Sequence, residues 1–259
     1  MTDLRAALDV ALEAARAASV PILQHFRTPN LSASHKGDGS PVTIADQQAE
    51  RVIREVLEAR TPDFDILGEE EGFEDNGRRY RWVVDPIDGT ISFSRGVPLF
   101  GTLIGLEDRD TGENVVGVIH LPALRETYAG GKGLGVWCGD ERITIADRTL
   151  GEAYESALIG GGDPLWFAES DREGSHDLIS KLPLFRGCQD CFAHAMVLRG
   201  AYGANVDPGL QPWDLSATAA LIVEAGGALH TTPSAQPGKT DAILGAPTLV
   251  AHLVDLLGW

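Results

Sequence analysis

Asp85-Pro86-Ile87-Asp88-Gly89-Thr90 follows directly on the apolar run Trp82-Val83-Val84, so two carboxylates three positions apart stand where a strand must stop. Two hard oxygen ligands at fixed spacing suit a divalent cation such as Mg²⁺, although that ion needs further donors. Pro86 gives no N–H to a sheet ladder and restrains Asp85 to extended geometry. This predicts that the strand closes with Asp85 at its carboxyl end, where α/β proteins open their ligand crevices. Gly89 permits a tight turn, and Thr90 is placed to start a helix whose N–H groups could receive an anion. Asp-Pro and Asp-Gly are also ordinary turn dipeptides, so the motif alone leaves a plain surface turn open.

Further acids have similar settings. Glu69 opens the run Glu69-Glu70-Glu71 after the short apolar fragment Phe64-Asp65-Ile66-Leu67, although runs of acids are often only solvated surface. Asp214 precedes Ala217, Ala220, Leu221, Ile222 and Val223 and then Gly226-Gly227, which predicts an N-cap and a glycine stop; a carboxylate there faces free N–H groups and could also hold a metal. Asp46, three residues after Thr43, completes a capping box.

The elements that must position these acids are legible from periodicity. Leu4, Leu8, Ala11 and Ala15 predict an amphipathic helix ending near Ile22, Leu23 and Phe26; a polar loop follows over 34–41, then a helix from about Thr43 with Ala45, Ala49, Val52, Ile53, Val56 and Leu57 inward. Residues 80–147 alternate apolar runs (81–84, 100–107, 115–120, 126–130, 134–138) with turn residues and predict a largely antiparallel sheet. Gly130-Gly131-Lys132-Gly133 reads as a hairpin turn, since it matches no nucleotide-binding loop. Beyond 150, strands at 156–160, 203–206 and 228–231 alternate with helices at 190–200, 214–225 and 248–257. The fold class is therefore α/β, with an α+β half over 1–150 and an α/β half over 151–259 joined in one compact body.

Composition narrows the function classes. The 259 residues, 43% hydrophobic and 23% charged, can bury a full core and include no run that could span a bilayer, which excludes a membrane partner. A net charge of −17 argues against nucleic acid, which requires a basic face. No secretory h-region follows Met1, and three cysteines fit a reducing compartment, so a cytoplasmic protein is expected. Cys188 and Cys191 form C-x-x-C with His194 at the same spacing, yet no second pair completes a zinc site; cysteines under a loop or lining a pocket are the better reading. No H-E-x-x-H, G-x-S-x-G or C-x₅-R signature offers another hydrolytic route.

Taken in order and separation, Glu69-Glu70, the run Trp82 to Thr90, and Trp213-Asp214 with Glu224-Ala225-Gly226-Gly227 resemble the inositol-monophosphatase superfamily of Mg²⁺-dependent phosphatases over nearly the whole chain. The resemblance implies a layered α-β-α-β-α sandwich. It also implies that Glu69, Asp85, Asp88, Asp214 and the Ile87 carbonyl hold two or three Mg²⁺ ions, with Asp85 bridging two of them. Glu69 with Thr90, and Asp46 with Thr90, would orient and deprotonate water, and the Gly89 and Thr90 N–H groups would hold phosphate. Four ligand carboxylates would balance two such ions. Ser92-Phe93-Ser94-Arg95-Gly96-Val97-Pro98-Leu99-Phe100-Gly101-Thr102-Leu103-Ile104, Asp190-Cys191-Phe192-Ala193 and Asp207 through Asp214 are similar to the histidinol-phosphatase branch. Ile91 stands where that branch has a basic residue, and Asp207 is shorter than its glutamate. Histidinol phosphate carries an ammonium and an imidazole, so Asp190 and Asp207 become candidate substrate contacts, each with a bland alternative as a helix cap or a Pro-Gly turn residue. The expected activity is histidinol-phosphatase, with inositol-1-phosphatase as the enzymatic alternative and a regulatory protein-binding member of the superfamily as the alternative of another class. The resemblance also implies a homodimer.

Overall fold

The computed structural model describes residues 2–28, 34–35, 41–147, 157–163, 166–167 and 184–259, so the expected seam near 150 and most of the 34–41 loop lie outside the described residues. Helix α1 (Leu4–His25) starts at Asp3, whose carboxylate accepts from the Arg5 and Ala6 N–H groups. A short pair, β1 (Ser34–His35) and β2 (Pro41–Val42), precedes α2 (Ile44–Arg60), which Thr43 and Asp46 open as the expected capping box.

Next come β3 (Asp65–Gly68), β4 (Gly72–Phe73), β5 (Tyr80–Asp88), the short helix α3 (Thr90–Ser94), β6 (Gly101–Asp108), β7 (Glu113–Leu121), β8 (Glu126–Gly131), β9 (Gly135–Cys138) and β10 (Glu141–Ile143). Their strands form an eight-stranded sheet in the order β10-β9-β8-β7-β6-β5-β3-β4. Only the β3–β5 pairing in it is parallel. The Gly130–Gly133 segment does form a hairpin, with Gly131 paired to Gly135.

The second sheet holds β11 (Leu158–Gly161), β12 (Leu184–Arg186), β13 (Ala204–Leu210), β14 (Ala228–Pro233) and β15 (Thr240–Gly245) in the order β12-β11-β13-β15-β14. Helix α4 (Asp190–Leu198) precedes β13, α5 (Pro212–Glu224) follows it, and α6 (Pro247–Leu257) closes the described chain. Strands β12 and β15 have no counterpart in the sequence reading, because their short apolar stretches carry no long alternation.

Side-chain alternation divides the core into layers. Ile104, Leu106, Val116 and Val118 face α1 and α2, whereas Leu103, Ile119, Leu121 and Tyr128 on the opposite face meet α4 and α5. Ile159, Val206 and Ile243 of the second sheet pack on Leu249, Val250 and Leu253 of α6. The result is the expected α-β-α-β-α sandwich.

Three local expectations are corrected. Strand β5 does not close at Asp85: pairing to β6 shifts register between Asp85 and Asp88 and resumes at Asp88, because Pro86 cannot donate to the ladder yet leaves a bulge rather than an end. Asp214 is not the N-cap of α5. Gln211 is, and Asp214 sits three residues in, its carboxylate accepting the Gln211 N–H at 2.7 Å; Pro212 takes the first helical turn. Asp207 lies within β13, paired to Ala242, and the Pro-Gly irregularity begins after it.

Candidate active site

The β5 bulge, the start of α4 and the start of α5 meet at one point. Asp85, 2% exposed, and Asp88 project from β5, and Asp214 arrives from the first turn of α5. One carboxylate oxygen from each lies within 4.8 Å of the others. Asp88 Oδ2 accepts the Cys191 N–H at 2.5 Å, so the beginning of α4 holds it by a backbone donor. Cys191 itself is fully buried, its thiol 4.0 Å from the Asp88 carbonyl oxygen. Asp85 Oδ1 is buried without a hydrogen-bond partner.

Burial first, and then the neighbouring charges of Glu69, Asp88 and Asp214, push Asp85 well above the usual carboxylate range. Asp88 is raised by burial and by Asp190 and Asp214. Asp214 is pushed up to about 6, burial outweighing the Gln211 N–H that opposes it. Buried carboxylates that repel one another, one with an orphaned oxygen, form a donor set of the kind that hard divalent cations neutralise. The residues therefore fit a magnesium-type ion.

Glu69 reaches this cluster by a different route. Its N–H donates to the Val84 carbonyl at 3.2 Å, which sets the exit of β3 beside β5. The next turn is held from beneath by Glu50 of α2, whose carboxylate accepts the Glu70 N–H (2.7 Å), the Glu71 N–H (3.1 Å) and Arg54 Nε (2.9 Å). Glu50 is 0% exposed, and a Cβ on Gly68 would stand 1.9 Å from its Oε1, so the glycine leaves the space this carboxylate fills. The sequence reading missed Glu50. Its one available signal was a glutamate beside Ala49 and Ile53 on the inward side of α2.

Thr90 is the first residue of α3, and Gly89 before it is left-handed at φ 87°. Its hydroxyl points toward Asp46 Oδ1 (3.2 Å) and the Ile87 carbonyl (3.0 Å). Asp46 Oδ2 meanwhile accepts the Thr43 N–H and hydroxyl, and its burial raises its pKa against those bonds. One aspartate thus both caps α2 and meets Thr90.

Glu69, Asp85, Ile87, Asp88, Gly89, Thr90 and Asp214 line one cavity of about 300 Å³, together with Asp163, Trp166, Asp190, Asp207, Trp213 and Lys239. Asp190, the first residue of α4, is left-handed at φ 44°, and its Oδ2 stands 3.0 Å from where a Gly89 Cβ would be. Burial, then Asp207 and Asp214, push it up to about 7. Asp207 accepts from His194 Nε2 at 2.7 Å and from the Asn205 amide. The structure thus gathers every sequence-selected site residue around one cavity, with Asp46 behind Thr90. Asp163, Trp166 and Lys239 had no motif to announce them; only the glycine run Gly160-Gly161-Gly162 ahead of Asp163 marks a place of close backbone approach. Cys188, exposed on the cavity wall, and Cys191 beneath it are free thiols, as a pocket-lining reading expects.

Residues 3–253 match the model of the Inositol monophosphatase family. A histidinol-phosphatase of Chlorobaculum parvum is 35% identical over 220 residues, covering 85% of this chain and 83% of that one. A fructose-1,6-bisphosphatase/inositol-1-monophosphatase of Aquifex aeolicus is 30% identical over 264 residues, covering 96% and 94%. Among solved structures, an inositol monophosphatase from Zymomonas mobilis superposes with a TM-score of 0.82 at 27% identity, covering 100% of both chains.

Proposed function

The chain belongs to the inositol monophosphatase family of phosphatases, and from that premise we propose that it hydrolyses an amine-bearing phosphate ester, L-histidinol phosphate, to histidinol and phosphate with Mg²⁺ as cofactor. The observation that carries this reading is the pair Asp190 and Asp207 on the wall of the same cavity whose floor holds Asp85, Asp88 and Asp214. A cationic ester would find carboxylates at both ends, reached directly by its ammonium and imidazole and through metal by its phosphate. Half-buried Trp166 and Trp213 add aromatic faces, which favour organic cations.

Magnesium held by Asp85, Asp88, Asp214, Glu69 and the Ile87 carbonyl would supply positive charge against the phosphoryl oxygens and acidify water. The protein's own contribution is orientation. Thr90, with its hydroxyl proton directed at Asp46 or the Ile87 carbonyl, keeps a lone pair to receive a hydrogen bond from water. Asp46, its pKa raised by burial, is suited to take up a proton, and Glu69 provides a second acceptor beside Asp85. The N–H groups of Gly89 and Thr90 would receive phosphate oxygens, a role that the left-handed glycine supports by lifting the backbone into a tight turn. A homodimer in the cytoplasm completes the reading.

The relative from Aquifex aeolicus supports a second reading, hydrolysis of inositol 1-phosphate. Phosphate release from the two esters, compared by kcat/KM, decides between them. We expect histidinol phosphate to be preferred, and Asp190→Ala to reduce that preference by about tenfold or more while Mg²⁺ dependence persists. A wild-type preference for the cyclitol ester would remove the assignment of Asp190.

A further inference from the structure

His194 is 2% exposed and lies on α4 at the back of the cavity. Its Nδ1 is 2.9 Å from the Thr218 hydroxyl and its Nε2 is 2.7 Å from Asp207 Oδ2. A carboxylate oxygen only accepts, so Nε2 carries the proton and donates to Asp207. Asn205 donates to the same oxygen. Both donors to the Asp207 carboxylate therefore fall on Oδ2, and Oδ1 accepts from no described residue of the chain. Beside Oδ1 stands Gly162, which lines the cavity with Asp207: a Cβ there would be 3.2 Å from Oδ1 and 3.2 Å from the Trp166 ring, so the missing side chain leaves room next to that oxygen although Asp207 as a whole is only 3% exposed. Thr218 follows Asp214 by four residues on α5, hence on the same helical face. A chain of hydrogen bonds thus runs from the helix carrying a candidate metal ligand, through His194, to a carboxylate on a different strand.

We infer that His194 is a positioning residue for substrate selection: clamped by Thr218, it fixes Asp207 Oδ2 and so turns Oδ1 through the Gly162 gap toward the cationic portion of a phosphate ester. A lone Asp207 could rotate about χ1 and χ2, and a shorter acid than glutamate must be held in one rotamer to present a single oxygen to a ligand. The inference rests on the reading of Asp207 as a substrate contact, and its test is separable from the identity of the ester.

The experiment is a double-mutant cycle on the full chain with Mg²⁺, using His194→Leu, Asp207→Asn and both together, with histidinol phosphate and inositol 1-phosphate as substrates. For histidinol phosphate, His194→Leu should raise KM about tenfold with less than about threefold change in kcat, and should cost far less once Asp207 is already Asn. His194→Gln, which keeps an N–H donor in a similar place, should restore most of the lost KM; should the leucine variant fail to fold, His194→Ala and Asn205→Ala, each removing one donor to Asp207 Oδ2, carry the cycle. Equal losses of kcat for both esters with KM unmoved, or additive effects of the two substitutions, would overturn the inference by showing a merely structural histidine. If the wild type instead prefers inositol 1-phosphate, the histidinol-phosphate reading falls. Non-additive coupling in KM for the preferred ester would then still uphold His194 as the residue that positions Asp207, and additivity would reject it.

Discussion

At the residue scale the site is a problem in unshared charge. Asp85, Asp88 and Asp214 are brought within 4.8 Å by two backbone segments, β5 and the start of α5, and with Asp85 buried and the other two half-buried little water is left to spread their charge. Backbone donors from Gln211 and Cys191 offset part of the cost but leave Asp85 Oδ1 unsatisfied. Asp88→Asn keeps the volume of the side chain and an acceptor for the Cys191 N–H while removing a negative charge from the cage. Phosphate release should fall by about a hundredfold or more while circular dichroism and thermal unfolding stay near wild type. Turnover that survives this change would show that Asp88 is not a metal ligand.

Among the elements, α5 approaches the large sheet closely at two glycines. Gly105 and Gly117 are cross-strand partners on β6 and β7, and a Cβ on Gly117 would lie 2.3 Å from the Ala217 carbonyl, a backbone atom that cannot swing away. Gly117→Ala should therefore lift the helix that carries Asp214 and destabilise the protein by ~1–3 kcal/mol in urea unfolding. An unchanged midpoint would mean that α5 has room to move. On the other face, His120 joins α1 to the β7–β8 pair through Ser19 (2.7 Å) and Thr127 (2.8 Å). Burial, helped by Arg16, pushes its pKa down to about 4. The unfolded ring, near its ordinary value of about 6.5, binds a proton that the folded ring refuses. Its contribution is complete above the unfolded value and is lost as pH falls toward 4. Tm measured across that interval should drop more steeply for wild type than for His120→Gln; parallel curves would show that His120 does not titrate on unfolding.

For the whole molecule, the candidate cage draws its acids from two adjacent layers, Asp85 and Asp88 from the large sheet and Asp214 from α5 of the middle helical layer. Mg²⁺ should consequently stabilise the fold, raising Tm by several degrees at saturating ion, with chelation reversing the gain; an ion that leaves Tm unmoved would contradict the cage. How much of this was legible beforehand follows from the range of each interaction. Local rules reached the capping box of Thr43 and Asp46, the alternation of β6 and β7, and the acidic residues flanked by turn chemistry, because each depends on neighbours a few positions away. The same rules erred where a local signal had two outcomes: Pro86 could end a strand or bulge it, and Asp214 could cap α5 or sit one turn further in. Sequence by itself thus determined the layered α/β fold class, the carboxylate inventory and the family resemblance. Tertiary structure alone decided that Glu50 supports the turn after Glu69, that His194 grips Asp207, and that Trp166 and Lys239 share the cavity. The physical reason is that those contacts join residues 13 or more positions apart, beyond the reach of local rules, and their cost and benefit arise only once packing has removed the water between them.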